Sequence, residues 1–248
     1  MTANEAPLPT PHRVARGALL KSLLKVISDP NETSHGARLV MHFDRKNMEE
    51  NYADFAAHPL GRRILDGAPS LFDLLTDRES LSQLPKGSVG RTYLDYMIQE
   101  EISTEALDEE VLPIELEVFG SHPDRRRFHQ HMRASHDLWH VLTGYHRDLF
   151  GEVQLLTFSH YQTGSPSFKW LSRLARFGIG RRVPGGLDLL KLAKRRGLET
   201  TPLFTVDWTS LLGRPIDEVR EQLHLGPPPS YTRYVRSPEG FGLVPEAG

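Results

Sequence analysis

The chain has 248 residues, 30 Lys+Arg against 32 Asp+Glu, 12 His and no cysteine. That length fills a hydrophobic core without staples, and the missing cysteine excludes disulfide frameworks, thiolate zinc sites and thiol nucleophiles. A net charge of -2 leaves no overall basic footprint, so no nucleic-acid partner is expected.

Residues 1–12 carry three prolines and no apolar cluster, and read as a disordered leader. In residues 13–28, Leu19, Leu20, Leu23, Leu24 and Ile27 recur at helical spacing between basic residues, and Asp29-Pro30 ends the run. This reads as a core helix. A basic, acid-free amphipathic stretch also suits a mitochondrial presequence, against which Glu5 and the prolines count. Met48, Tyr52 and Phe55 line one face of a helix over 47–57, which His58-Pro59 interrupts, and Ser70–Leu75 forms a short apolar element. The turn Pro85-Lys86-Gly87-Ser88 predicts a helix capped by Ser88 and carrying Val89, Tyr93, Tyr96 and Met97. Pro215 opens a last helix with Ile216, Val219 and Leu223. No period-2 run exceeds four or five residues, so the expected class is all-α: a single helical domain over 13–225, followed by a Pro-rich tail over 226–248 that is mobile or wraps a neighbour.

Two stretches oppose each other in charge. Residues 100–117 hold eight acids and no Lys or Arg, which reads as a solvated helix face or a docking face. Residues 168–196 hold nine bases against Asp188 and interleave them with Phe168, Trp170, Leu171, Leu174, Phe177 and Ile179. Such a segment suits the surface of an anionic bilayer, arginines to the headgroups and aromatics dipping inward. No apolar run approaches the roughly 20 residues of a spanning helix.

Seven of the 12 histidines fall between residues 122 and 160. His136 and His140, four apart on a predicted helix, present their imidazoles from one face, as helical His pairs do around a cation. Asp137 is close enough to join them or to orient a ligating ring. Gly144 ends that helix, Asp148 caps the next, and Glu152 in its first turn can return a carboxylate to the cation. Zinc, iron and manganese all accept such a donor set. A His pair alone often arises as core packing. The metallopeptidase reading fails because Asp137 stands where Glu should follow the first His; a metal-dependent hydrolase rests on the pair alone.

His136-Asp137-Leu138-Trp139-His140, then eleven residues, then Glu152, resembles the H-D-x-x-H-x11-E signature of the coenzyme Q biosynthesis protein 4 family. Leu84-Pro85-Lys86-Gly87-Ser88-Val89-Gly90-Arg91-Thr92-Tyr93-Leu94 and the run from Gly151-Glu152 to Gln162-Thr163-Gly164 are similar to two further segments of that family, in the same order. The resemblance covers roughly residues 15 to 225 and implies an all-α, usually dimeric protein, peripheral on the membrane where ubiquinone is made. It implies a divalent metal held by His136, Asp137, His140 and Glu152; the alternative for Asp137 or Glu152 is a proton acceptor in place of a ligand. It also implies removal of the ring carboxyl at C1 of a polyprenylated aromatic precursor and its replacement by hydroxyl. The alternative is a non-catalytic organiser that presents the quinone intermediate to other ubiquinone-biosynthesis proteins. Mitochondrial members carry a presequence that this chain mostly lacks, so the expected place is a bacterial cytoplasm, on the inner face of the membrane, with the mitochondrial matrix side as the alternative. The Pro-rich tail lies outside the resemblance. Arg91, beside the Gly-Ser turn, reads either as a group that steadies the anionic head of the substrate or as a surface residue of a capped helix start.

Overall fold

A computed structural model describes residues 33–237 and 240–244. The leader over 1–12 and the helix expected over 13–28 lie outside the described residues. Among the described residues the chain is all-α apart from one short hairpin. The first elements are α1 (Thr33–Phe43), α2 (Arg45–Ala57), α3 (Pro59–Leu65), α4 (Leu71–Thr76), α5 (Arg78–Ser82), α6 (Val89–Gln99) and α7 (Thr104–Phe119). After them come α8 (Pro123–Thr143), α9 (Leu149–Thr163), α10 (Pro166–Phe177), α11 (Ile179–Arg182), α12 (Gly186–Glu199) and α13 (Ile216–Gln222), with single 3-10 turns at Leu203–Thr205 and Trp208–Ser210.

The starts of these helices are written in the chain. Ser88 accepts from the Arg91 N–H at the head of α6, Ser103 from the Ala106 N–H at α7, and Ser70 forms a reciprocal capping box with Asp73 at α4. Arg91 itself lies outward, its guanidinium on Asp95 and the Ser82 carbonyl. His58 both ends α2 and accepts from the Leu60 N–H to start α3, with Pro59 in the first turn.

The core gathers around α8. Its second half buries Ala134, Leu138, Trp139, Val141 and Leu142 at helical spacing against Val89, Tyr93, Leu94 and Met97 of α6, Leu71 and Leu75 of α4, and Leu155 and Phe158 of α9. Its first half is charged: Arg125 pairs with Glu49 and Arg127 with Asp73, while Arg126 and Arg133 turn to α7. Asp108 receives the Nε of Arg133 at 3.1 Å, the Arg126 guanidinium at 2.8 Å and the Gln130 amide at 2.8 Å. Glu115 takes the Arg133 guanidinium at 2.6 Å and faces His129 at 3.5 Å. Asp108 and Glu115 are buried. The solvated or docking face expected over 100–117 therefore fails at these two positions: they are internal counter-ions to arginines eighteen and twenty-five residues further on. Opposite charge in contact holds both carboxyls below the usual carboxylate range, even though burial pushes the other way and is the largest single influence.

The basic segment keeps the exposure that the sequence predicts only over its first helix; further on Val183, Leu190, Ala193 and Arg196 are buried, Arg196 on the carbonyls of Thr143 and Leu225. No residue of α10 is buried, and Trp170, Leu174 and Phe177 are each more than 60% exposed. The Arg173 guanidinium lies 5.7 Å from the Trp170 ring centre and that of Arg181 lies 5.3 Å from Phe177. The helix is moored at its start, where buried Asp44 receives the Ser167 N–H at 2.9 Å and the hydroxyls of Ser165 and Ser167.

The tail departs from expectation. Arg233–Ser237 and Gly240–Val244 pair as an antiparallel hairpin in which Arg233 faces Val244 and Ser237 faces Gly240. Tyr231 and Tyr234 are buried against Phe150 and Val153 of α9. Five-residue strands sit at the limit of the alternation that sequence periodicity detects, and the anchor is two tyrosines rather than an alternating face.

Candidate metal centre

The end of α8 and the start of α9 are brought together by a short, heavily bonded loop. Gly144 closes α8 in the left-handed region at φ 73°, and a Cβ there would sit 2.2 Å from Pro228. Asp148 then caps α9. One of its oxygens accepts from the N–H groups of Phe150 (3.0 Å), Gly151 (3.3 Å) and Tyr234 (2.9 Å), and the other from the Tyr231 hydroxyl at 2.8 Å. That hydroxyl also receives the His146 N–H at 2.9 Å. Gly151 lets the first turn of α9 close on the loop, since a Cβ would come 1.9 Å from the His146 carbonyl oxygen. Tyr231 and Tyr234 thus fix, from the tail, the turn that aims Glu152.

The structure brings three of the four sequence-predicted ligands together. One donor atom from each of His136, His140 and Glu152 lies within 4.8 Å of the others. The two rings stand edge to face, their centres 5.0 Å apart. His140 Nδ1 lies 2.7 Å from the Tyr145 carbonyl oxygen. A carbonyl only accepts, so Nδ1 carries the proton and Nε2 presents its lone pair. Burial pushes both His136 and His140 down to about 4, so both are neutral near pH 7, the state in which imidazole binds a cation. His140 Nε2 faces a Glu152 oxygen at 3.4 Å. With His140 neutral, these are two acceptors pointed at each other, and something positive belongs between them: a proton or a metal ion. Burial raises the Glu152 carboxyl above its ordinary value when no cation is present.

Asp137 is not in that set. Successive residues on a helix point 100° apart, so with His136 and His140 facing α9, Asp137 turns toward α6 and α7. There it accepts from the Thr104 hydroxyl at 3.3 Å, while Tyr93 and Thr104 share a hydrogen bond of 2.6 Å. Burial pushes its carboxyl up to about 7. Of the four residues expected from the resemblance, His136, His140 and Glu152 therefore converge, and Asp137 lies alongside on Thr104.

Three further groups surround the centre. The Tyr96 ring stacks on His140 with centres 6.2 Å apart, and its buried hydroxyl has no hydrogen-bond partner among the described residues. The exposed Arg147, one residue before the cap, acts electrostatically on His136, Asp137, His140 and Glu152. The Tyr145 carbonyl orients His140. At sequence level Tyr96 reads as one of several core aromatics on α6, and a backbone carbonyl leaves no signal at all. Arg147 was discoverable only from its place between a helix stop and a cap.

The family profile described as Coenzyme Q (ubiquinone) biosynthesis protein Coq4 matches residues 13–229. The chain belongs to the Coq4 family. It is 29% identical over 171 residues to the mitochondrial ubiquinone biosynthesis protein COQ4 of Kluyveromyces lactis, covering 68% of this chain and 49% of that one. To the protein of the same name from Paracoccidioides brasiliensis it is 32% identical over 178 residues, covering 70% of this chain and 59% of the other. The chain therefore spans about half to three fifths of the length of these curated relatives. Its fold is similar to a crystal structure from Nostoc punctiforme, with a TM-score of 0.57 at 19% identity, over 85% of this chain and 97% of that one.

Proposed function

We propose that this Coq4-family chain acts in ubiquinone biosynthesis as a metal-dependent protein that exchanges the C1 carboxyl of a polyprenylated aromatic acid for hydroxyl. The observation that carries the metal reading is the facing pair of acceptors, His140 Nε2 and Glu152, beside a second neutral imidazole. The donor chemistry fits a first-row divalent cation: two nitrogens and one carboxylate, with His140 oriented by a carbonyl behind it, as metal-bound histidines usually are. Held by His136, His140 and Glu152, such a cation would supply positive charge to the ring oxygen of the substrate and, if it is iron or manganese rather than zinc, redox chemistry as well.

The chain's own residues set the rest. Asp137, with its carboxyl pushed up to about 7, exists in both protonation states near neutrality and is placed to hold or release a proton beside the centre. The exchange is a two-electron oxidation in which carbon dioxide leaves, so the oxidising equivalents and the hydroxyl oxygen come from outside this cysteine-free chain. The unburied face of α10, with its exposed Trp170, Leu174 and Phe177 among arginines, supports peripheral attachment to an anionic membrane, where a prenylated substrate resides. No described helix is long and apolar enough to cross a membrane. The mitochondrial designation of the relatives supports the matrix side over the bacterial location expected from the sequence. A homodimer and contacts with other ubiquinone-biosynthesis proteins remain part of the proposal by family membership.

The test is turnover of a short-chain prenylated 4-hydroxybenzoate by the metal-loaded full chain with an added oxidant, read as carbon dioxide and hydroxylated product. Product formed by the wild type and lost in His140→Ala supports the enzyme. Equal product in both refutes it. No product from either, with the substrate still bound, selects the non-catalytic organiser.

A further inference from the structure

Two polar groups beside the candidate metal centre have no hydrogen-bond partner among the described residues. The Tyr96 hydroxyl is buried without a partner although its ring lies against His140, and an orphaned buried hydroxyl carries a desolvation cost that a ligand atom can remove. Arg147 is exposed in the loop between α8 and α9 and makes no hydrogen bond or ion pair with any described residue. Its nearest acid in sequence, Asp148, is unavailable, because both oxygens are taken by Phe150, Gly151, Tyr234 and Tyr231. Asp137 is taken by Thr104 and Glu152 faces His140. The loop backbone is held at Tyr145 and His146 and the Asp148 side chain is taken, which leaves the exposed Arg147 guanidinium uncommitted among the described residues.

We infer that Arg147 and Tyr96 form the receptor for the carboxylate of the ligand, gripping it beside the cation held by His136, His140 and Glu152. This rests on the reading of the ligand as a prenylated aromatic acid and adds the residues that distinguish the acid from its neutral relatives. Guanidinium presents two parallel N–H donors that match the two oxygens of a carboxylate, and a phenol hydroxyl supplies a third donor. The reaction deletes that carboxylate, so the same pair binds substrate in preference to its decarboxylated product, which favours release.

The experiment is calorimetric titration of the metal-loaded full chain with 3-geranyl-4-hydroxybenzoate and, separately, with its carboxamide, alongside elemental analysis of each variant. The wild type should prefer the acid by roughly tenfold, the scale of one charge-assisted contact. Arg147→Met should abolish the preference, Arg147→Lys should keep part of it, and Tyr96→Phe should weaken acid binding severalfold, all with metal content unchanged. A preference that survives Arg147→Met overturns the inference while leaving the prenylated-acid reading intact. Loss of metal from Arg147→Met in step with loss of ligand also overturns it, because Arg147 would then support the cation. A wild type that binds neither compound removes both the inference and the reading beneath it.

Discussion

Replacing Glu152 by Gln should stabilise the metal-free protein and destroy its response to metal. In the metal-free wild type above the raised pKa of Glu152, a carboxylate oxygen and the lone pair of His140 Nε2 face each other at 3.4 Å. Glutamine places an amide N–H there instead, converting a repulsion into a hydrogen bond of about 1 kcal/mol. The Glu152 side chain is 34% exposed, which halves that to roughly 0.5 kcal/mol, or about 1–2 °C in Tm for a chain of this size. The sign with pH is definite. A carboxyl raised in the folded state keeps its proton where the unfolded chain has lost it, so wild-type stability falls as pH rises from the ordinary value of 4.5 through the raised one. Below that window the protonated Glu152 donates to His140 itself, and the two proteins should match. The assay is thermal unfolding by circular dichroism, in chelator and then with zinc, iron(II) or manganese added. A metal at one hundred times its Kd should add about 2.7 kcal/mol to the wild type and far less to the variant. A Glu152→Gln protein that is less stable than wild type in chelator, or that gains the same shift with metal, would refute the reasoning.

Asp137→Asn should keep bound metal, because Asp137 hydrogen-bonds Thr104 and stands outside the donor set, and it should raise Tm above pH 7, where the wild-type carboxyl must charge while buried; elemental analysis and thermal scans check both. Arg133→Met strips two buried carboxylates of their shared cation, and should cost about 3 kcal/mol by urea unfolding at pH 7, since Asp108 retains Arg126 and Gln130. The stabilisation from Asp108 and Glu115 is present above their ordinary values and lost as pH falls through their lowered ones, so that deficit should shrink in acid. Replacing Trp170, Leu174 and Phe177 together by Ser should cut sedimentation with phosphatidylserine-containing vesicles severalfold while Tm moves little, because all three are exposed.

Much of this architecture is legible in the chain because its helix boundaries are chemical. Ser88, Gly144, Asp148 and Pro59 announce their roles, and the structure puts each at the boundary its chemistry demands. The His pair and the returning Glu152 follow from helical spacing plus one stop and one cap. What the sequence hides is direction and long range. Asp137 sits between the two histidines of the pair in the chain, yet its side chain leaves toward Thr104, which only the packing of α6 and α7 on α8 decides. The acidic run looks solvated until its partners are found on α8, eighteen residues or more away. The tail hairpin depends on Tyr231 and Tyr234 reaching back to Asp148, a contact that no local periodicity encodes.

The most direct test of the central claim is metal content per chain, measured by elemental analysis of wild type, His140→Ala and Asp137→Asn purified without chelator. About one divalent ion in the wild type and in Asp137→Asn, and less than a tenth of that in His140→Ala, is the predicted result. A wild type that carries none and takes up none on titration with zinc, iron(II) or manganese would contradict the account, and the two imidazoles and Glu152 would then be held together by a shared proton alone.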